Sequence, residues 1–252
     1  MARPVTLITG ASAGLGVEFA RQCAARGGAL VLVARRRDRL EALKAELGGD
    51  VHVIAADLSR ADAADSLIAQ IEAEGLAVDT LINNAGFGLA GKFWNGPLAR
   101  QSEMIDLNCR TLVELCHLVL PAMRAKKSGG ILNVASTAAF QAGPNMAVYY
   151  ASKAFVLSFT EALHHELKGS GVRVTCLCPG PTTSEFGEVA GSKSPALERI
   201  KGPADAVVRA GLKGLDRGKA IVIPGAPNKV TAQISRFLPR AVVRRLVGRI
   251  KV

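Results

Sequence analysis

Apolar positions along the chain fall into short runs separated by longer stretches in which apolar and polar residues alternate with helical period. The runs Val5–Thr9, Ala29–Ala34, Val51–Ala55, Thr80–Ile82, Gly130–Ala135, Val172–Leu177 and Ala220–Ile223 are too short for helices and are predicted as strands. Between them, helices are predicted over about Leu15–Arg26, Arg37–Leu47, from a cap at Ser59 to about Glu74, and over Leu98–Ala125, Ala151–Leu167 and Pro203–Leu215. Strands that alternate with helices imply a parallel sheet of about seven strands, wound on both faces through right-handed crossovers. The expected fold class is therefore a three-layer α/β sandwich.

Length and composition agree with this picture. A chain of 252 residues suits one large α/β domain, and 49% apolar residues are enough for a sizeable core. No apolar run approaches the roughly 18 residues of a membrane-spanning helix. The first strand begins at Val5, which leaves no room for a signal peptide. The five cysteines (Cys23, Cys109, Cys116, Cys176, Cys178) are odd in number and scattered. Cys176 and Cys178 have no second pair of ligands, so zinc is a poor reading and no metal site is expected. Reduced cysteines filling the core of a cytoplasmic protein fit better.

Chemistry gathers where the strands end. After the first strand comes Gly10-Ala11-Ser12-Ala13-Gly14-Leu15-Gly16, then a helix. Strand, glycine turn and helix N-terminus suit a pyrophosphate, because glycine lets backbone approach and the helix dipole favours an anion. A plain tight turn is the competing reading. The second strand ends at Ala34 and is followed by Arg35-Arg36-Arg37, with no acid before Asp38. An acid at that place would bond a ribose 2′-hydroxyl, whereas Arg accommodates a 2′-phosphate, so the pattern favours NADP over NAD. Arg37 and Arg39 read as a solvated helix start.

The stretch Ser136–Lys153 carries a hydroxyl at Ser136, a phenol at Tyr149 and an amine at Lys153. Four residues of helix place Tyr149 and Lys153 on one face, whereas Tyr150 has only Ala154 at that spacing. A phenol with a pKa of about 10 is a poor acid or base near neutrality, and an adjacent cation would lower that value. Taken alone the pair is equally an exposed helical contact. Asn108, on the long predicted helix, is either a satisfied core amide or a functional one.

Together, Thr9-Gly10 with Gly14 and Gly16, Asn83-Asn84-Ala85-Gly86, Ser136, Tyr149 with Lys153, and Pro179-Gly180 follow one another with the spacing of short-chain dehydrogenase/reductases. The chain resembles the compact single-domain branch of that superfamily over roughly Val5–Ile223. Ser136 lies 13 residues before Tyr149, and Asn108 lies 28 before Ser136, as suits the family's Asn-Ser-Tyr-Lys tetrad. The resemblance implies a Rossmann-like fold and a catalytic set of Asn108, Ser136, Tyr149 and Lys153. Tyr149 would protonate the carbonyl oxygen and Ser136 would orient it. Lys153 would lower the Tyr149 pKa and hold the nicotinamide ribose, and Asn108 would fix a water that relays protons. Gly10, Ser12, Gly14, Leu15 and Gly16 would line the pyrophosphate. Asp57 would meet the adenine, and Asn83, Ala85 and Gly86 the adenosine ribose region, with Leu58 and Asn84 also among the cofactor-binding residues. Pro179, Gly180 and the cluster Thr182–Ser184 would sit against the nicotinamide.

Two positions depart from the family pattern. Ser184 stands where Thr is frequent, and Ala13 stands where some NADP-preferring members carry a basic residue. The expectation of NADP(H) thus rests on Arg35 and Arg36. The implied reaction is interconversion of a ketone and a secondary alcohol. Phe87, Phe93, Trp94, Phe140, Met146 and Phe186 lie in segments expected at the mouth of the site and suggest an apolar acyl, steroid-like or aromatic ketone, unless they merely pack the loops. Glu185–Lys201, with Gly191, Ser192, Ser194 and Pro195, reads as a mobile segment and a candidate lid. The resemblance also implies a homo-oligomer, dimer or tetramer, built on the helices that carry Asn108 and Tyr149. A dinucleotide-binding regulator or scaffold without turnover is the alternative, against which the complete tetrad argues.

The charge is concentrated at one end. The formal net charge is +11, yet Arg217–Val252 holds nine Lys or Arg and no acid, leaving 23 basic and 21 acidic residues elsewhere. Nothing in the sequence supports a nucleic-acid partner. The division expected is a dinucleotide-binding domain over 1–226 and a basic amphipathic tail over 227–252. In the tail, Asn228 is expected to cap a first helix with Val230, Ile234, Phe237 and Leu238 on one side, and Pro239 to interrupt it. Val242, Val243, Leu246, Val247 and Ile250 then share one arc of a second helix, with Arg240, Arg244, Arg245, Arg249 and Lys251 on the other. Docking of the apolar arc on the enzyme's own core, on a partner subunit or over the substrate mouth is the favoured reading, and contact with an anionic membrane surface is the second.

Overall fold

The computed structural model describes residues 2–192 and 200–249. Seven strands form one parallel sheet: β1 (Arg3–Thr9), β2 (Ala29–Ala34), β3 (Val51–Ala55), β4 (Leu76–Asn83), β5 (Gly129–Val134), β6 (Val172–Leu177) and β7 (Ile221–Val222). Their order across the sheet is β3-β2-β1-β4-β5-β6-β7. Six of the seven coincide with the predicted runs to within two residues. The exception is β4, which begins four residues early because Arg3 to Val5 of β1 pair with Leu76 to Val78.

Both faces of the sheet are covered, and β2 shows why it reads as a continuous apolar run. Its Ala29, Val31 and Val33 point into one apolar cluster, while Leu30, Leu32 and Ala34 point into the other. The first cluster is closed by α3 (Ala63–Ala73), α5 (Thr111–Lys126) and α6 (Ala147–Glu166), through Leu67, Ile71, Leu115, Val156 and Leu163. The second is closed by α1 (Gly14–Ala25), α2 (Arg37–Leu47) and α8 (Ala204–Asp216), through Phe19, Leu40, Leu43, Val208 and Leu212. Each such buried Leu, Val or Phe contributes about 1.5–3 kcal/mol. This is the expected Rossmann-like three-layer sandwich.

Strand order reverses between β1 and β4, so a crevice opens at their carboxyl ends, the usual ligand position in such sheets. The glycine turn after β1 and Asn84–Gly86 after β4 lie there. The turn Thr137–Phe140 after β5 and the Pro179–Pro181 segment after β6 extend the same edge.

Local structure corrects three expectations. Ser59 does not cap a helix. Its N–H and Oγ both donate to Asp57 Oδ1, at 3.1 and 2.7 Å, which makes a side-chain turn, and α3 starts only at Ala63. The helix predicted over Leu98–Ala125 is α4 (Leu98–Ile105), a π-helical segment (Asp106–Arg110) and then α5. Such wide turns inside helices are frequent at functional sites, and this one holds Asn108. Asn228 is not a cap either: α9 (Ala226–Phe237) is capped by Gly225, and Asn228 Nδ2 donates to Pro224 O at 2.8 Å.

Pro239 ends α9 and starts α10 (Arg240–Gly248) as predicted. The arcs differ from expectation, however. In α9 the side turned inward is marked by Ala232, while Val230, Ile234 and Phe237 are exposed. In α10 Val243 is buried, while Val242 and Leu246 are exposed. Ile250 and Lys251 lie outside the described residues. Of the expected lid, Phe186–Ala190 forms a short helix, α7, and residues 193–199 lie outside the description. Among the described residues no helix is long and apolar enough to cross a membrane.

Candidate active site

Lys153 and Tyr149 share one face of α6. Lys153 Nζ lies 5.9 Å from the Tyr149 ring centroid and donates to Val134 O at 2.9 Å, its only hydrogen-bond partner among the described residues. Ser136, directly after β5, caps the turn Thr137–Phe140 by accepting from Ala138 N at 3.1 Å. Its hydroxyl also donates to Pro179 O at 3.5 Å and lies close enough to the Tyr149 phenol to act on its titration. Three of the four predicted catalytic groups therefore meet at the carboxyl ends of β5 and β6.

Electrostatics within the group differ from the expectation that Lys153 lowers the Tyr149 pKa. Burial pushes the phenol up to about 12, against the opposing hydrogen bond with Ser136, and Tyr150 adds to the rise. Burial likewise pulls the Lys153 ammonium down to about 8, while Cys109, Cys176 and Cys178 oppose the fall. Both shifts have one cause, the loss of solvent around a charge.

The fourth group, Asn108, acts on the backbone. Its Oδ1 accepts from Phe87 N at 3.1 Å, and its Nδ2 donates to Phe87 O and to Ser152 Oγ, each at 3.0 Å. Both amide donors are thereby engaged. Gly86 lies between Asn108 and Lys153, where a Cβ would stand 2.8 Å from Asn108 Oδ1 and 3.5 Å from Lys153 Nζ. Asn108 thus sets the chain beside Lys153.

The glycine turn has the form a dinucleotide needs. Gly10 (φ +67°) and Gly14 (φ +54°) occupy the left-handed region, and a Cβ on Gly16 would meet Gly10 O at 2.0 Å. The N-terminus of α1 has no side-chain cap and no acid in its first turn, which leaves this end of the helix suited to an anion. Leu15 packs partly into the core behind this turn. Ala85 closes against Gly10, and Asn84 Nδ2 donates to Thr9 O and Gly10 O at 3.0 and 3.3 Å. The Thr9 hydroxyl accepts from the N–H groups of Asn84 and Ala85, both at 3.0 Å. Asn84 thereby ties the two loops together, while Asn83 is buried and donates to Asn133 Oδ1 at 2.9 Å.

The two arginines part company. Arg36 turns onto the glycine turn, with Nη2 at 3.1 Å and Nε at 3.3 Å from Ser12 Oγ, and it also pairs with Glu185. Arg35 is more exposed and reaches Glu103 at 3.4 Å. Asp57 lies beside this group, and its bonds from Ser59 hold its carboxyl below the ordinary range, with Arg35 and Arg60 contributing. Leu58 is buried in the core, and its carbonyl accepts from Thr111 Oγ1 at 2.5 Å. On the other side of the crevice, Gly180 backs onto Asn228, and Thr182 Oγ1 donates to Gly180 O at 2.9 Å.

Of the apolar residues expected at the mouth, Phe87, Met146 and Phe186 gather around Tyr149, the Phe186 ring 5.1 Å from the phenol ring. Phe140 packs against the main core instead. Phe93 and Trp94 are 54% and 75% exposed, so they do not form that wall. Sequence reasoning missed the contributions of Ser152 and Glu185, whose partners lie 44 and 149 residues away.

Comparison with known proteins agrees with this geometry. A family model described as short chain dehydrogenase matches residues 4–194, and the chain belongs to the short-chain dehydrogenase/reductase family. It is 43% identical over 185 residues to a sulfoacetaldehyde reductase of Chromohalobacter salexigens, covering 71% of this chain and 72% of that protein. A short-chain dehydrogenase of Sphingobium yanoikuyae, solved with NADPH, superposes with a TM-score of 0.83 at 33% identity over 93% of each chain. A short-chain dehydrogenase/reductase of Burkholderia phymatum, solved with NAD, does so with a TM-score of 0.84 at 26% identity over 96% of this chain and 95% of that one. The chain is thus a member of an oxidoreductase family whose relatives bind nicotinamide dinucleotides.

Proposed function

We propose that this protein is an NADP(H)-dependent oxidoreductase that interconverts a ketone and a secondary alcohol on an apolar substrate. The observation that carries the reading is the meeting of Tyr149, Ser136 and Lys153 at the strand ends, beside an uncapped helix N-terminus. The nicotinamide supplies the hydride. Tyr149 gives its proton to the carbonyl oxygen, as general acid, and Ser136 polarises that oxygen. Lys153 would hold the nicotinamide ribose with its remaining donors. Gly10, Gly14 and Gly16 admit the pyrophosphate, and Arg36 with Ser12 takes the 2′-phosphate. The wall formed by Phe87, Met146 and Phe186 favours an apolar substituent on the carbonyl.

A homo-oligomer in the cytoplasm fits the surface and the thiols. Ile105 and Phe155, on α4 and α6, are 51% and 45% exposed, and all five cysteines are free. Residues 227–252 serve the 1–226 domain as a tail.

The test is NADPH oxidation at neutral pH against a panel of ketones of graded size, with sulfoacetaldehyde included as a small anionic carbonyl. Turnover rising with apolar bulk supports the reading. Preference for the sulfonate moves the substrate to the class of the Chromohalobacter relative. Absence of turnover throughout, with NADPH still bound, leaves the protein a dinucleotide-binding regulator.

A further inference from the structure

Glu185 bridges two guanidinium groups, one of which also faces Ser12. Its Oε2 accepts from Arg36 Nη1 at 3.1 Å and its Oε1 from Arg39 Nη1 at 2.5 Å. Both arginines hold the carboxyl below its ordinary range. The acid therefore occupies a position on Arg36 where an anion is stabilised, next to the hydroxyl of Ser12.

The neighbours of Glu185 reach two further parts of the site. Ser184 covers the glycine turn, since a Cβ on Gly14 would stand 2.9 Å from the Ser184 Cβ. On the other side, Phe186 begins α7 and stacks its ring at a tilt of 47° against Tyr149. Three consecutive residues thus touch the place proposed for the 2′-phosphate, the pyrophosphate turn and the catalytic phenol.

We propose that Glu185 is a cofactor-specificity residue that acts as an internal competitor for the 2′-phosphate on Arg36. This rests on the NADP(H) reading above. Two guanidinium groups carry two positive charges, and a carboxylate neutralises only one. A phosphate monoester, with a charge near −2 and three acceptor oxygens, matches the pair better. The competitor is displaceable, because all three side chains are between 38% and 44% exposed, where ion pairs are weak. NADPH displaces Glu185 from Arg36, and the release passes through Ser184 to Phe186. NADH, with no 2′-phosphate, leaves the carboxylate in place and gains nothing from Arg36. Arrival of the correct cofactor is thereby coupled to movement of an aromatic residue on the substrate side.

Titrate the full-length protein and Glu185→Gln with NADPH and with NADH, following the fluorescence of the bound nicotinamide. Removing an exposed competitor should tighten NADPH about three- to ten-fold and leave NADH within two-fold. In parallel, hydrogen exchange over residues 184–190 should quicken in Glu185→Gln without nucleotide, and in the parent with NADPH but not with NADH. Unchanged or weaker NADPH binding by Glu185→Gln, in a parent that prefers NADPH, overturns the competitor and makes Glu185 a support for Arg36. A parent that binds both cofactors equally overturns the NADP(H) reading and this inference with it. Glu185→Ala checks that the result belongs to the lost charge.

Discussion

Lys153 Nζ donates to Val134 O at 2.9 Å, so the ammonium is fixed to the end of β5 by a single neutral acceptor while its stem is buried. An amine held in this way is poorly compensated as a cation, and burial brings its pKa from an ordinary 10.5 to about 8.

The consequence is a stability term with a definite sign. Below pH 8 the amine is protonated in both the folded and the unfolded chain, and the full cost of the buried charge is present. Between about 8 and 10.5 the folded protein releases this proton first, and the cost disappears as pH rises. At roughly 1.4 kcal/mol per pH unit the term is on the order of 3 kcal/mol. Lys153→Met should therefore gain in relative stability over the parent at pH 7 and lose most of that advantage by pH 10. Urea unfolding of both proteins at the two pH values measures the difference. A difference that does not vary with pH would show that Lys153 is not desolvated in this way.

With a phenol pushed up to about 12, Tyr149 keeps its proton throughout the neutral range and is an acid ready for reduction. Tyr149→Phe retains the ring contact with Phe186 and removes only the proton. Ketone reduction should fall by about 10² to 10⁴ in kcat, while NADPH affinity stays within a few-fold. Single-turnover oxidation of NADPH reports the first and equilibrium titration the second. Reduction within a few-fold of the parent would remove Tyr149 as the acid.

Most strands were legible because a sheet buried on both faces needs residues such as Leu30, Val31 and Leu32 in unbroken succession. The glycine turn and the Tyr149–Lys153 pair were legible because their partners are a few residues apart. Long-range burial was not. Nothing local to Tyr149 announces that its phenol is desolvated, or that Lys153 turns to a carbonyl 19 residues back. The π-helical turn at Asn108 was hidden because Asp106–Arg110 has an ordinary helical sequence, and the amide's partners, Phe87 and Ser152, belong to other elements. Arg35 and Arg36 looked equivalent as neighbours; only the backbone direction at the end of β2 sends one to Glu103 and the other to Ser12.

That divergence makes the two arginines unequal in cofactor choice. Arg36→Gln should weaken NADPH by about ten-fold or more and leave NADH nearly unchanged, as befits loss of a charge-assisted bond. Arg35→Gln should have a smaller effect, because its guanidinium is 59% exposed and already turned to Glu103. Dissociation constants for both nucleotides with both variants decide the matter. A larger loss from Arg35→Gln would assign the 2′-phosphate to Arg35.

The tail makes contacts that a free basic extension would lack. Its first helix, α9, packs on the turn Thr137–Phe140 that follows Ser136. Asn228 fills the space over Gly180, where a Cβ would come within 2.3 Å of Asn228 Oδ1. At the far end of α10, Gly248 approaches Pro144, just before the catalytic helix, with 3.4 Å from a built Cβ to the Pro144 ring. Ala232 and Val243 of the two tail helices are buried. Docking on the enzyme therefore positions the loops that carry Ser136 and Pro179-Gly180. Removal of residues 227–252 should lower the melting temperature and reduce kcat/KM by up to about 10²-fold, the scale at which misplaced positioning groups act. The intact protein should stay in the supernatant with anionic vesicles at physiological salt, since Val243 and Ala232 are spent on the enzyme's own surface. A truncated protein that keeps its stability and activity, together with tail-dependent sedimentation that salt abolishes, would reverse the assignment. It would mean that the exposed Val230, Ile234 and Phe237, together with the basic residues of the tail, serve an anionic membrane surface at about 1 kcal/mol for each basic residue.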